Sequence, residues 1–255
     1  MVSKTAFADR VLDATSTLCD RVDKMNFADP VAIVYNPLRY AWEMHEKYVR
    51  KWGSTPRRVL MLGMNPGPWG MAQTGVPFGE VSMVKDFMGL SGNVLRPQPE
   101  HPKRPVLGLE TTRSEVSGKR LWGFFGEKFG GPKGFFAENF VVNYCPLVFM
   151  EESARNRTPD KLPKAETDPL FAACDDRLMA LVDIYQPEWV VGVGGFARKK
   201  LDSLFGPKAK VIRKSTAHHP ANIGTVLHPS PASPAANRGW ADAAQKQMLE
   251  QGIWK

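Results

Sequence analysis

The chain has 255 residues, is 43% apolar and 24% charged, and carries a formal net charge of +8. Length and composition suit a globular α/β protein and exclude a disordered chain, and no apolar run approaches the ~20 residues a membrane helix needs. Three scattered cysteines, Cys19, Cys145 and Cys174, argue against a disulfide framework, a structural zinc site or an iron–sulfur cluster.

Residues 5–25 place Phe7, Val11, Leu18, Val22 and Met25 close to helical spacing. VAIVYNP at 31–37 is extended and stops at Pro37; 38–52 predicts a helix ended by Gly53. RVLML at 58–62 is the nearly all-apolar strand of a sheet covered on both faces. GMNPGPWGMAQTGVPFGE follows, too rich in Gly and Pro for helix or central strand. Residues 81–90 predict a helix, 91–117 a long surface loop, and 118–130 a second helix.

FVVNYCPL at 140–147 is the next apolar strand, and 151–168 is loop-like. Residues 169–185 carry a strong helical pattern. EWVVGVGG at 188–195 is a strand running into a glycine turn, before a helix over 196–205. NIGTVLHPSP at 222–231 is a last strand, and 236–252 a last helix. The expected organisation is one domain over 1–255 with an N-terminal helical extension of about 1–30. Alternating strands and helices imply a mostly parallel sheet with helices on both faces. Ligands of such sheets bind beyond the carboxyl ends of the strands. The loops GMNPGP, NYCPL, GVGG and HPSP should therefore converge on one site.

The glycines at 63, 67 and 70 suggest a phosphate cradle, but neither GxGxxG nor a GK[ST] loop is present. A tight strand-to-helix turn is the better reading. His218 and His219 precede His228, yet adjacent histidines on a strand face opposite ways, so no metal and no cofactor are expected. Asn65, Asn143, Phe78 and His228 each have a bland reading as turn, bridging, core or structural residues. Together, on stiff loops at strand ends, they suit a flat, neutral, hydrogen-bonding ring: Phe78 stacks and the Asn143 amide matches a base edge. The +8 charge favours a polyanionic partner, nucleic acid first. The N-terminus MVSKTAFADR is not that of a secretory signal. The expected setting is intracellular, cytoplasmic in a bacterium or nuclear in a eukaryote.

GMNPGPWGMAQTGVPFGEVSMV at 63–84, HPKRPVLGLE at 101–110, SEVSG at 114–118, NYCPL at 143–147 and HPSPASPAANRGW at 228–240 resemble the single-strand-selective monofunctional uracil-DNA glycosylases. The resemblance runs from about Val31 to about Gln245. It implies a three-layer α/β/α fold with a central four-stranded parallel sheet. It also implies removal of uracil and oxidised uracils such as 5-hydroxymethyluracil from single- and double-stranded DNA, by a monomer that flips the base out and leaves an abasic site. Carried over, Asn65 positions the attacking water and His228 steadies the departing base. Asn143 reads the uracil edge, Phe78 stacks on it, and Met64 and Gly67 line the pocket through backbone. Pro229, Ser230, Pro231, Ala232, Ser233, Asn237 and Arg238 would meet the DNA. The family usually reads HPSPRNP, so Ala232 and Ser233 replace an arginine and an asparagine of the duplex wedge, and Arg238 is a candidate substitute. Residues 207–221 are less family-like and read as an insertion. Two rival readings are a glycosylase acting mainly on hypoxanthine or xanthine, and a non-catalytic nucleic-acid-binding module.

Overall fold

A computed structural model describes residues 3–207, 220 and 222–254. The proposed insertion lies largely outside the described residues, as do His218 and His219. Helix α1 spans Lys4–Val22, capped where Ser3 Oγ accepts from the Ala6 N–H at 3.1 Å. Its face of Phe7, Val11, Leu18 and Val22 is buried, so this helix is part of the core. Strand β1 (Ile33–Tyr35) leads into α2 (Pro37–Tyr40) and α3 (Trp42–Trp52), so the expected helix over 38–52 is broken at Ala41. Strand β2 is Val59–Gly63, fully buried, and the glycine-rich loop after it contains a short helix, α4 (Met71–Thr74).

The expected helix at 81–90 is present but ends at 87, and all but its first two residues are π-helical, at Met83–Phe87. Helix α5 spans Val116–Lys128, and α6 (Pro132–Glu138) follows it. Strand β3 is Asn139–Asn143. Strands β4 (Val148–Met150) and β5 (Asn156–Arg157) pair antiparallel, and β4 pairs with β1, giving a second small sheet in the order β1-β4-β5. Helix α7 spans Lys164–Tyr185 and contains Pro169, so it begins five residues before the expected 169. Then come β6 (Trp189–Val193), α8 (Gly195–Phe205), β7 (Asn222–Val226), α9 (Pro234–Asn237) and α10 (Trp240–Glu250).

The central sheet is four-stranded in the order β3-β2-β6-β7, with every neighbouring pair parallel. This is the α/β architecture that the alternating pattern predicts. A single apolar cluster runs from Phe7 to Trp254 around it. In register, Gly63 sits opposite Asn143 and Val193 opposite Val226. Parallel pairing thus delivers the loops after β2, β3, β6 and β7 to one edge. No helix among the described residues is long and apolar enough to cross a membrane.

Candidate active site

A cleft of about 610 Å³ opens at that edge. It is lined by Met64, Asn65 and Gly67 after β2, by Phe78, by Asn143 at the end of β3, and by His228, Ser230, Pro231, Ala232 and Ser233 after β7. The backbone ties the loops together: the Tyr144 N–H donates to the Gly63 carbonyl and the Cys145 N–H to the Met64 carbonyl, each at 2.9 Å. The Met64 carbonyl accepts one of these bonds, which fixes the backbone that lines the cleft.

Asn65 donates from Nδ2 to the Leu147 carbonyl at 3.2 Å. That bond orients the amide, and Oδ1 has no hydrogen-bond partner among the described residues. Asn143 is 5% exposed; among the described residues its Nδ2 reaches only the Met71 thioether, at 3.2 Å, and its buried Oδ1 has no hydrogen-bond partner. A thioether is a weak acceptor. An amide left this poorly satisfied in a cleft marks a place for a ligand's donor and acceptor. From below, buried Arg177 on α7 donates to the Asn143 carbonyl at 3.0 Å and to Thr15 Oγ1 on α1 at 3.2 Å.

Phe78 carries its ring into the cleft on a left-handed backbone, φ +52°. Such a conformation costs a non-glycine residue about 1–3 kcal/mol and persists only when the surroundings impose it. Here the Trp122 Nε1–H donates to the Phe78 carbonyl at 3.0 Å. Gly118, one turn earlier on α5, meets that same carbonyl where a side chain would stand. The site also requires Gly63, where a Cβ would overlap the Asn143 amide oxygen and lie 2.7 Å from the Phe78 ring. These glycines make room for side chains.

His228 lies 5.7 Å from Phe78, ring centre to ring centre. The Ser230 N–H donates to its Nδ1 at 3.1 Å, so the ring proton sits on Nε2. Burial pushes the imidazole down to about 4. The ring is neutral at physiological pH and is a donor. Gly194, φ +90°, passes 3.4 Å from the imidazole ring when a Cβ is placed on it, and only glycine adopts that turn readily.

The HPSP segment is braced from within. Arg120 donates to the Pro229 carbonyl at 3.2 Å and to Asn237 Oδ1 at 3.0 Å, while Asn237 Nδ2 donates to the Pro231 carbonyl at 2.8 Å. Ser233 caps α9 by accepting from the Ala236 N–H. Asn237 is thus engaged in holding the loop. Pro229 is buried, Ala232 forms an exposed tip, and Arg238 is exposed. Sequence reasoning passed over Trp69, Ser114, Glu115, Asn156 and Thr158, which also line the cleft.

Residues 51–251 match the family described as the Uracil DNA glycosylase superfamily. Single-strand selective monofunctional uracil-DNA glycosylases of Rattus norvegicus and Mus musculus are each 45% identical over 97% of this chain and 86% of their own length. That of Bos taurus is 46% identical over 98% of this chain and 89% of its own. The chain belongs to this glycosylase family. A crystal structure of Pedobacter heparinus SMUG2 shares the family fold with a TM-score of 0.68 at 16% identity, covering 97% of both chains.

Proposed function

We propose that this protein is a monofunctional DNA glycosylase that hydrolyses the bond between uracil, or a 5-modified uracil such as 5-hydroxymethyluracil, and deoxyribose. The observation that carries the reading is the unsatisfied Asn143 amide facing a cleft shared with Phe78, Asn65 and a neutral His228.

A base inside a duplex is out of reach, so the nucleotide is flipped out or taken from single-stranded DNA. Phe78 stacks on the ring and Asn143 bonds its edge. As the glycosidic bond breaks, negative charge gathers on the base and positive charge on the sugar. The His228 Nε2–H meets the base oxygen; preorganised donors of this kind are worth about 3–4 kcal/mol. Water held by the free Oδ1 of Asn65 captures the sugar cation. Cutting the strand requires an amine to attack the sugar, and no lysine is among the described residues that line the cleft. The product is an abasic site in an intact strand.

The DNA rim is basic and aromatic. Trp69 lies at the mouth, with the guanidinium carbons of Arg113 and Arg104 at 4.6 and 5.3 Å from its ring centre. Stacking and positive charge suit a single strand.

The test is release of base from single-stranded and duplex oligonucleotides carrying uracil, 5-hydroxymethyluracil, hypoxanthine or xanthine, read as alkali-labile sites. Preference for the uracils supports the reading. Preference for the deaminated purines, or binding without release, contradicts it.

A further inference from the structure

The chemistry above lacks a group that can take a proton. Asn65 orients water but has no basic atom, and His228 already spends its proton on the base. One carboxyl group lines the cleft among the described residues, that of Glu115, immediately before α5. It passes beneath the loop that carries Asn65. A Cβ on Gly67 would stand 2.8 Å from both carboxyl oxygens, and one on Gly70 would overlap Oε2. Two glycines of GMNPGPWG are therefore bare where this carboxyl runs.

Nothing in the fold explains it as a structural group. Among the described residues, its buried Oε2 has no hydrogen-bond partner and no cation pairs with it. Its charged neighbour is another carboxylate, Glu80. Burial raises Glu80, but the Ser82 hydroxyl at 2.6 Å, the Met83 N–H at 3.1 Å and the Ser114 side chain outweigh it and hold Glu80 ionised. Burial first, and then Glu80, push Glu115 up to about 7. An acid buried without a partner is costly to keep, and in an enzyme cleft such a group points to water or substrate.

We propose that Glu115 is a further catalytic residue, the proton acceptor for the hydrolytic water. The proposal rests on the glycosylase reading above. The water oxygen bonds to C1′ of the sugar as the C1′–N1 bond breaks. The glycosidic electron pair leaves on the base, where His228 donates a hydrogen bond, and the water proton passes to the Glu115 carboxylate. The protonated acid then releases that proton to solvent or to the departing base. Asn65 aims the water and Glu115 deprotonates it.

The groups facing Glu115 are Glu80, with Lys119 of α5 beyond it, and His228 across the cleft. His228, at about 4, stays neutral from mildly acid pH upward. Glu115 is then the lining group that titrates near neutrality.

Single-turnover release of uracil from single-stranded DNA is measured between about pH 5.5 and 8.5 for wild type, Glu115→Gln and Glu115→Asp. Wild type should rise through about pH 7 and level off. Glu115→Gln should be slower at the plateau by roughly 10²-fold and lose the rise, since general bases contribute on that order. Glu115→Asp should recover part of the rate together with the rise. Affinity for DNA carrying an uncleavable 2′-fluoro-deoxyuridine, and the melting temperature, should hold in all three. A Glu115→Gln rate within about threefold of wild type with the same profile would overturn the proposal. So would a loss confined to 5-hydroxymethyluracil, which would make Glu115 a reader of the substituent, or a loss of affinity matching the loss of rate. A wild type that releases no uracil at any pH would instead sink the glycosylase reading itself.

Discussion

The Ser230 N–H donates to Nδ1 of His228 at 3.1 Å, and that one bond decides which ring nitrogen carries the proton. With Nδ1 accepting, Nε2 is the donor, in a cleft it shares with Phe78 and Asn143. His228→Ala should therefore slow uracil release more than release of 5-fluorouracil. The fluorine stabilises the departing anion from inside the ring and partly replaces the lost donor. The readout is the ratio of mutant to wild-type single-turnover rates on the two bases. Equal ratios with a lowered melting temperature would reduce His228 to a brace for the HPSP turn.

Burial of His228 also has a sign in stability. Its folded value of about 4 lies below the ordinary 6.5. The unfolded chain therefore binds the proton first as pH falls. Stability from this group is present above about 6.5 and lost as pH falls toward 4. Denaturant melts at pH 7 and pH 5 should show wild type losing more stability than His228→Ala over that interval. Parallel losses in the two proteins would mean the ring is solvated.

Trp122 holds the backbone of Phe78 in its left-handed turn. Trp122→Phe removes the Nε1–H and leaves the Phe78 carbonyl with the Glu80 N–H at 2.8 Å, which should cost about 0.5–1.5 kcal/mol of stability, the net worth of one hydrogen bond. Released from its turn, the Phe78 ring should stack less well, so KM for uracil-containing DNA should rise. A stability loss with unchanged KM would show that the turn is held by the Glu80 N–H and the packing at Gly118.

Much of this arrangement is legible in the sequence, for a physical reason. Strands β2, β3 and β6 are apolar runs cut off by Gly or Pro, so their ends, and the residues Asn65, Asn143 and Gly194 found there, can be placed without coordinates. The second sheet is not legible, because strands of two and three residues are too short to show a period. Helix α6 hides behind Gly130-Gly131-Pro132, which reads as a turn although proline is well suited to the first helical position. In α7, Pro169 looks like a start signal and lies inside the helix. Glu115 stands in a polar, proline-rich stretch that reads as surface loop. Its depth exists only because α5 docks under the β2 loop at Gly67 and Gly70.

Trp69 and its two arginines should grip a single strand beside the lesion. Trp69→Ala should weaken binding to uncleavable single-stranded DNA by roughly tenfold or more, in line with ~1–3 kcal/mol per stacked base. Arg113→Gln should lower the salt dependence of affinity by about one phosphate contact. Unchanged affinity and slope in fluorescence titrations would assign the rim to packing only.

The most direct test of the account is single-turnover release of uracil from single-stranded DNA by wild type and Asn65→Ala, with strand integrity followed in the same reaction. Asn65 is held by the Leu147 carbonyl, and the role proposed for it is to aim the water. Wild type should leave abasic sites in uncut strands. Asn65→Ala should be slower by roughly two to three orders of magnitude, at ~1.4 kcal/mol of barrier per factor of ten, while binding uncleavable DNA as well as wild type does. A mutant rate within a few-fold of wild type, or strand scission by the wild type, would contradict it.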